Sequence, residues 1–288
     1  EYLLANGVPP DCQFLPTNYD QPLTAFDYIH RRGGDTDIYF VANRATNAAS
    51  VTVAFRVTGK APELWNAVTG EHHFARAYSE KDGRTRVPLD FDPCGSWFVV
   101  FREPAAAHPP VARANDETLS PLADLSGPWT VHFDPQWGGP ASVSFDQLVS
   151  WTKRPEPGIK YYSGAATYER TFNLSPSAIS NRHSAFYLDL GDLRELAEIF
   201  VNGKSCGIVW TPPFRADITD AVHPGENKLA VKVVNFWPNR IIGDASLPPA
   251  QRFTRTNIRK LTAHTPLMPS GLFGPVRLLQ VQSAPSTP

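Results

Sequence analysis

Three loops of this chain set flat aromatic rings beside carboxylates, amides and a guanidinium. Asn235-Phe236-Trp237-Pro238-Asn239-Arg240, with Asp244 four residues further on, is the densest. Trp137 lies in Asp134-Pro135-Gln136-Trp137-Gly138-Gly139, and Trp210 in Val209-Trp210-Thr211-Pro212-Pro213-Phe214. Tyr161-Tyr162-Ser163-Gly164 leads into a strand pattern. Such a set suits a sugar ring, whose C–H face packs on the aromatic while its hydroxyls take polar partners. Arg240 would grip a hydroxyl pair or a carboxylate bidentately, or equally would pair with Asp244. Against this stands a plainer use, in which a loop Trp plugs the end of a sandwich.

Hydrolysis of a glycoside needs two carboxyl groups facing each other across the ring, about 5 to 9.5 Å apart. Asp192, Glu195 and Asp244 are the candidates near the aromatic loops, and no spacing motif selects a pair among them. The eight histidines show no metal-ligand spacing, and no Gly-x-Ser-x-Gly elbow or phosphate-binding Gly-rich loop is present. A structural calcium ion is compatible with a jelly roll through Asp side chains and loop carbonyls, although no Asp-rich loop selects a place for it. Cys12, Cys94 and Cys206 are far apart and form neither a CxxC pair nor a dense disulfide framework, though one pair could still bridge.

The elements that position these residues read as strands. The 28 Pro and 19 Gly recur along the whole chain, which disfavours helical bundles because each Pro inside a helix costs roughly 3 kcal/mol. With 288 residues the chain suits two domains. Lys+Arg 27 against Asp+Glu 28 leaves no basic bias for nucleic acid and no polybasic run for an anionic membrane. No apolar stretch reaches the roughly 20 residues that span a bilayer. The expected class is all-β: a small antiparallel β-sandwich followed by a jelly-roll β-sandwich.

Residues 1–102 are read as the small sandwich, irregular and Pro-rich up to Pro22. Strands follow at Thr36 to Asn43, Ser50 to Val57, His72 to Tyr78, Thr85 to Phe91 and Gly95 to Phe101. Residues 103–120 are the expected linker. Residues 121–288 form the expected galactose-binding-like jelly roll, with strands near Trp129, 141–145, 164–172, 184–190, 196–201, 205–209, 215–218, 228–236, 251–254 and 275–282. Asn202-Gly203 inside Ile199 to Lys204 is the clearest hairpin signal. Asp192 to Glu195 reads as a helical turn or a loop. Trp97 and Trp129 lie in alternating apolar strands and are expected in the core; the other five Trp fall at or near loops. The chain has no initiator Met, and Glu1 to Val8 reads as the end of a helix closing at Gly7, so a fragment of a longer protein is expected. A missing signal peptide then says nothing about export.

An ordered set of phrases resembles one module type. It runs Leu125-Ser126-Gly127-Pro128-Trp129, Tyr168-Glu169-Arg170-Thr171-Phe172, Leu188-Asp189-Leu190-Gly191, Ile199-Phe200-Val201-Asn202-Gly203, Asp217-Ile218-Thr219 and Ser270-Gly271-Leu272-Phe273-Gly274-Pro275-Val276. These resemble the sugar-binding jelly roll of glycoside hydrolase family 2, and more closely the equivalent C-terminal module of the bacterial α-L-rhamnosidases of family 106. Tyr39 to Arg44 and Pro62 to Gly70 are similar to the β-domain that follows the catalytic barrel in those enzymes. The resemblance implies an accessory role beside a catalytic domain that this sequence does not contain, so none of the family's catalytic residues carries over. It also implies long loops that face carbohydrate, here Trp210, Trp237, Asn239 and Arg240 first, then Trp137 and Tyr162. A plant polysaccharide or oligosaccharide is the implied partner, and a secreted or periplasmic location is implied as well. The rival expectations are an enzyme active through a carboxylate pair beside Trp210 or Trp237, and a purely structural support module.

Overall fold

Along Thr36–Asn43 every second residue is buried, as a strand with one face on a core requires. The same alternation recurs along the chain, and the result is a predominantly β-stranded protein. The computed structural model describes residues 5–16, 25–111, 115, 119–179, 185–257 and 260–281. It divides into two units, Glu1–Glu117 and Thr118–Pro288.

The first unit contains β1 (Cys12–Pro16), β2 (Phe26–Gly33), β3 (Thr36–Asn43), β4 (Ala49–Phe55), β5 (Lys60–Asn66), β6 (His72–Phe74), β7 (Ser79–Lys81), β8 (Arg84–Phe91) and β9 (Ser96–Pro104). They pair into a sheet of order β1-β4-β8-β7 and another of order β2-β3-β9-β5-β6, antiparallel throughout. Tyr39, Phe55 and Phe101 interlock in its core, with centroids of Tyr39 and Phe55 4.8 Å apart and of Phe55 and Phe101 5.3 Å apart. Trp97 is partly buried against that core, and its indole N–H donates to the Asp90 carbonyl.

Two readings of this unit change. The segment expected to be irregular contains β1, which pairs with β4 from Cys12↔Phe55 to Pro16↔Val51. Pro62 sits inside strand β5, which runs into the turn at 67–69. A register shift between Lys60 and Pro62 absorbs it, and the Pro62 carbonyl still accepts from Ala75 N–H at 2.8 Å. The expected linker from 103 onward also packs on this unit as far as its description goes. Asn115 is buried, accepts from Ala77 N–H and donates to the Ala77 and Pro88 carbonyls.

The second unit contains β10 (Leu119–Asp124), β11 (Trp129–His132), β12 (Val143–Phe145), α1 (Pro157–Lys160), β13 (Ala165–Leu174), α2 (Pro176–Ile179), β14 (Phe186–Asp189), β15 (Asp192–Arg194), β16 (Leu196–Val201), β17 (Lys204–Val209), β18 (Arg215–Asp217), β19 (Gly225–Val234), α3 (Pro238–Ala245), β20 (Gly271–Gly274) and β21 (Arg277–Val281). A six-stranded sheet, β12-β11-β13-β19-β16-β17, and a four-stranded one, β10-β21-β14-β18, carry the core residues, with β15 and β20 as a separate pair. Asn202 and Gly203 both have positive φ, 52° and 80°, and close the β16–β17 hairpin as Asn-Gly predicts.

Asn227, with no exposed surface, ties that hairpin to the next loop. Its side chain accepts from His223 N–H and from the Asn202 amide, and donates to the His223 and Gly225 carbonyls. Three expectations fail here. Asp192 to Arg194 is a strand. Residues 251–254 hold no strand, since Pro249–Gln251 is a 3-10 turn. The loop after Trp237 is the helix α3, because Pro238 at its first position is already set to helical φ and needs no N–H partner.

All three cysteines are free; Cys12 is buried, Cys206 half-buried and Cys94 exposed. Burial pushes the Cys12 thiol up to about 12, with Asp11 adding to it. Alkylation at pH 8 should therefore label Cys94 first, and should label Cys12 only on unfolding, readable by mass spectrometry of native and urea-treated protein. Asn227→Ala should cost about 2–4 kcal/mol in urea unfolding, because it strands buried donors and acceptors; exposed Asn47→Ala should cost little.

Candidate functional site

Strand register decides which loops meet. In the six-stranded sheet Val234 of β19 pairs with Ala165 of β13 and with Leu196 of β16, and Ala197 pairs with Val209 of β17. The end of β19, the starts of β13 and β16 and the end of β17 therefore share one end of the sheet. Tyr162 to Gly164, Glu195, Asn235 to Trp237 and Trp210 emerge there. The loop after β11 brings Trp137 to Trp237, ring centroids 5.3 Å apart and planes at 74°. Trp137, Trp210 and Trp237 are 36%, 59% and 49% exposed.

A shallow, solvent-open cleft lies at this end. It is lined by Glu195, Asn235, Phe236, Pro238, Asn239, Met268, Pro269 and Ser270. Two asparagines hold its walls. Asn235 accepts from Gly164 N–H at 2.8 Å and donates to the Tyr162 carbonyl at 3.1 Å. Asn239 donates to the Met268 carbonyl at 2.7 Å and to Ser270 Oγ at 3.4 Å, and accepts from Met268 N–H at 2.8 Å. Both amides are thus committed to the fold, and Asn239 is a latch for the 268–270 segment rather than a free sugar ligand.

Arg240 and Tyr162 depart from their expected roles for the same reason, burial. The Arg240 guanidinium is nearly inaccessible. Its Nε lies 3.4 Å from Asp244 Oδ1, and its carbon sits 4.7 Å over the Phe253 ring. Desolvation lowers the Arg240 pKa, and the facing Asp244 opposes that shift. Helix α3 comes close enough to Tyr161 that a Cβ on Gly243 would stand 2.7 Å from that side chain. Tyr162 is fully buried among Phe133 and Trp151, and its hydroxyl accepts from Asp134 N–H and donates to the Ala165 carbonyl. It has no face to offer a ligand. Trp151, one of the Trp placed near loops, is likewise wholly buried.

The three weak catalytic candidates take separate places. Asp192 is exposed and pairs with Arg194. Asp244 is buried, and its Oδ2 accepts from Thr254 N–H at 2.7 Å and Thr254 Oγ1 at 2.6 Å. Glu195 alone lines the cleft. Among the described residues no group of His, Cys, Asp and Glu is placed to hold a metal ion. Phe236 and Met268 belong to the site and were passed over in the sequence, although large apolar side chains inside polar, Pro-flanked loops were a usable signal.

Comparison with known proteins fits this division. A family model described as α-L-rhamnosidase matches residues 1–79. A model described as a glycosyl hydrolase 2 galactose-binding domain-like unit matches residues 156–265. The structure of a rhamnosidase from Novosphingobium sp. PP1Y superposes with a TM-score of 0.86 at 38% identity, covering 97% of this chain and 26% of that one. A protein of Formosa agariphila, provisionally named a β-glucuronidase, is 38% identical over 177 residues, which is 54% of this chain and 15% of the relative. The chain thus spans about a quarter or less of these relatives. It resembles the C-terminal accessory domains of a larger multidomain glycoside hydrolase, family 106-like and family 2 jelly-roll-like.

Proposed function

We propose that this chain is a non-catalytic accessory part of a plant-polysaccharide-degrading glycoside hydrolase, and that its second unit binds glycan. The observation that carries the reading is the aromatic end of the six-stranded sheet. Trp137 and Trp237 are both exposed at that end of the sheet, in edge-to-face contact, and Phe236 and Pro238 beside Trp237 line a shallow cleft. Trp indole faces left in water at the mouth of a cleft suit the C–H face of a sugar. The resemblance to modules of rhamnosidase and β-glucuronidase chains supports a carbohydrate ligand. A polymer cannot cross a cell membrane, so the place of action is read as secreted or periplasmic.

Activity of the chain by itself would need two carboxyl groups facing each other beside Trp210 or Trp237. Asp244 is enclosed, Asp192 is paired, and Glu195 stands alone in the cleft. A support role predicts two things: buried loop Trp, which Trp137, Trp210 and Trp237 are not, and an exposed apolar patch where the missing domain packs. One observation nevertheless favours support for one surface. Ile208 and Trp210, at the end of edge strand β17, are 60% and 59% exposed. We assign that surface to the missing catalytic domain.

Tryptophan fluorescence titration against plant polysaccharides and their oligosaccharides tests the reading, with chromatography of long incubations in parallel. A saturable shift without new products is expected. Trp237→Ala should weaken binding about tenfold, since covering roughly 60 Å² of apolar ring contributes about 1.5 kcal/mol. Trp97→Phe in the first unit should leave it unchanged. Absence of any shift would leave only the support role. New products would show a catalytic site, with Asp192, Glu195 and Asp244 the residues to replace.

A further inference from the structure

The polar groups around the cleft differ in how much hydrogen-bonding capacity they have left. Asn235 and Asn239 are committed on both sides of their amides. Ser270 is buried, with its Oγ facing the Asn239 amide. Glu195 is different. Its backbone N–H donates to the Val234 carbonyl at 2.9 Å, while its half-buried carboxylate has no hydrogen bond or ion pair among the described residues. The rest of the lining is apolar: Phe236, Pro238, Met268 and Pro269, with Phe236 and Met268 59% and 45% exposed.

No cationic side chain among the described residues lines the cleft. The nearby guanidiniums are engaged elsewhere, Arg240 with Asp244 and Phe253, Arg194 with Asp192 and the Phe273 ring at 5.7 Å.

We propose that this cleft is a subsite for a sugar that carries no carboxylate, held by two neighbouring donor groups on the Glu195 carboxylate against the Phe236–Met268 wall, and that it rejects uronates. The inference rests on the reading of the second unit as a glycan binder and adds the class of sugar. An ionised carboxylate only accepts, and two hydroxyls donate to it in strong, charge-assisted bonds. A uronate would bring a second carboxylate into the same space with no cation among the described lining residues to offset it, and like charges there oppose binding. A ring ammonium would pair with the same carboxylate, so the charge in the cleft discriminates against uronates and not against amino sugars.

The test is titration of the 288-residue chain at pH 7 and low salt with three methyl glycosides: a neutral hexose, the matching uronic acid and the matching 2-amino sugar. The neutral glycoside and the amino sugar should each bind at least roughly tenfold more tightly than the uronate. Glu195→Gln should bring the neutral glycoside and the uronate within about twofold, and Glu195→Asp, which keeps the charge, should preserve the preference. Circular dichroism confirms that each variant is folded. Tighter binding of the uronate than of either other glycoside, or an unchanged preference in Glu195→Gln, would overturn this inference. It would leave the glycan-binding reading standing wherever Trp237→Ala still weakens polysaccharide binding. Loss of methyl glycoside binding with polysaccharide binding intact would also overturn the subsite alone. Failure of both would overturn the two together.

Discussion

A single buried hydrogen bond organises the second unit. Trp151 Nε1 donates to the Tyr168 hydroxyl at 2.6 Å, and that hydroxyl also accepts from Leu272 N–H at 3.3 Å. Both rings are wholly buried, and desolvation pushes the Tyr168 phenol up to about 12. In that low-dielectric setting an unpaired indole N–H or phenol would be costly, so the pair and the segment it grips are held together. Backbone bonds extend the grip. Trp151 N–H donates to the Ser270 carbonyl, and Ser270 N–H donates to Ser150 Oγ. Gly271 is there because a Cβ would stand 2.5 Å from Trp151 Nε1. The chain thus leaves the core at a set point, and the preceding residues, Met268 to Ser270, become one wall of the cleft.

The cleft end of the sheet divides labour by side-chain type. Amides, hydroxyls and the Arg240–Asp244 pair are consumed in holding loops and helix α3. What remains for solvent is aromatic and apolar, with one carboxylate. Rigid aromatic faces on a braced scaffold need little ordering when a ligand arrives, which limits the entropic cost of binding. The buried ion pair fits the same economy. Its Coulomb attraction offsets desolvation only with further bonds, and Thr254 supplies two of them to Asp244.

The relatives place this division in a larger frame. The rhamnosidase of Novosphingobium sp. PP1Y matches nearly the whole chain, which spans only 26% of it. The two β units have cores of their own. The first unit's Tyr39–Phe55–Phe101 cluster and the second unit's Trp151–Tyr168 cluster each close within their unit. Function on such scaffolds resides in the loops they hold up rather than in the sandwich itself.

Much of the fold was legible in the sequence, because local physics writes it there. Period-two alternation marks Thr36–Asn43 and Leu196–Val201, and Asn202-Gly203 marks its hairpin, since only certain residues accept positive φ at a two-residue turn. The exposed Trp137, Trp210 and Trp237 also stood out, as bulky rings in loops with few large apolar neighbours. What the sequence could not decide was which polar residues of those loops remain free. Asn239, Arg240 and Tyr162 look like ligands in a local window, yet their partners lie far along the chain, at Met268, at Phe253 and at Phe133. Pairing across such separations depends on strand order and register, which bring β13, β19 and β16 side by side. Burial is a property of that assembled arrangement, so only the tertiary structure distinguished Glu195, left without a partner, from the residues already spent on the fold.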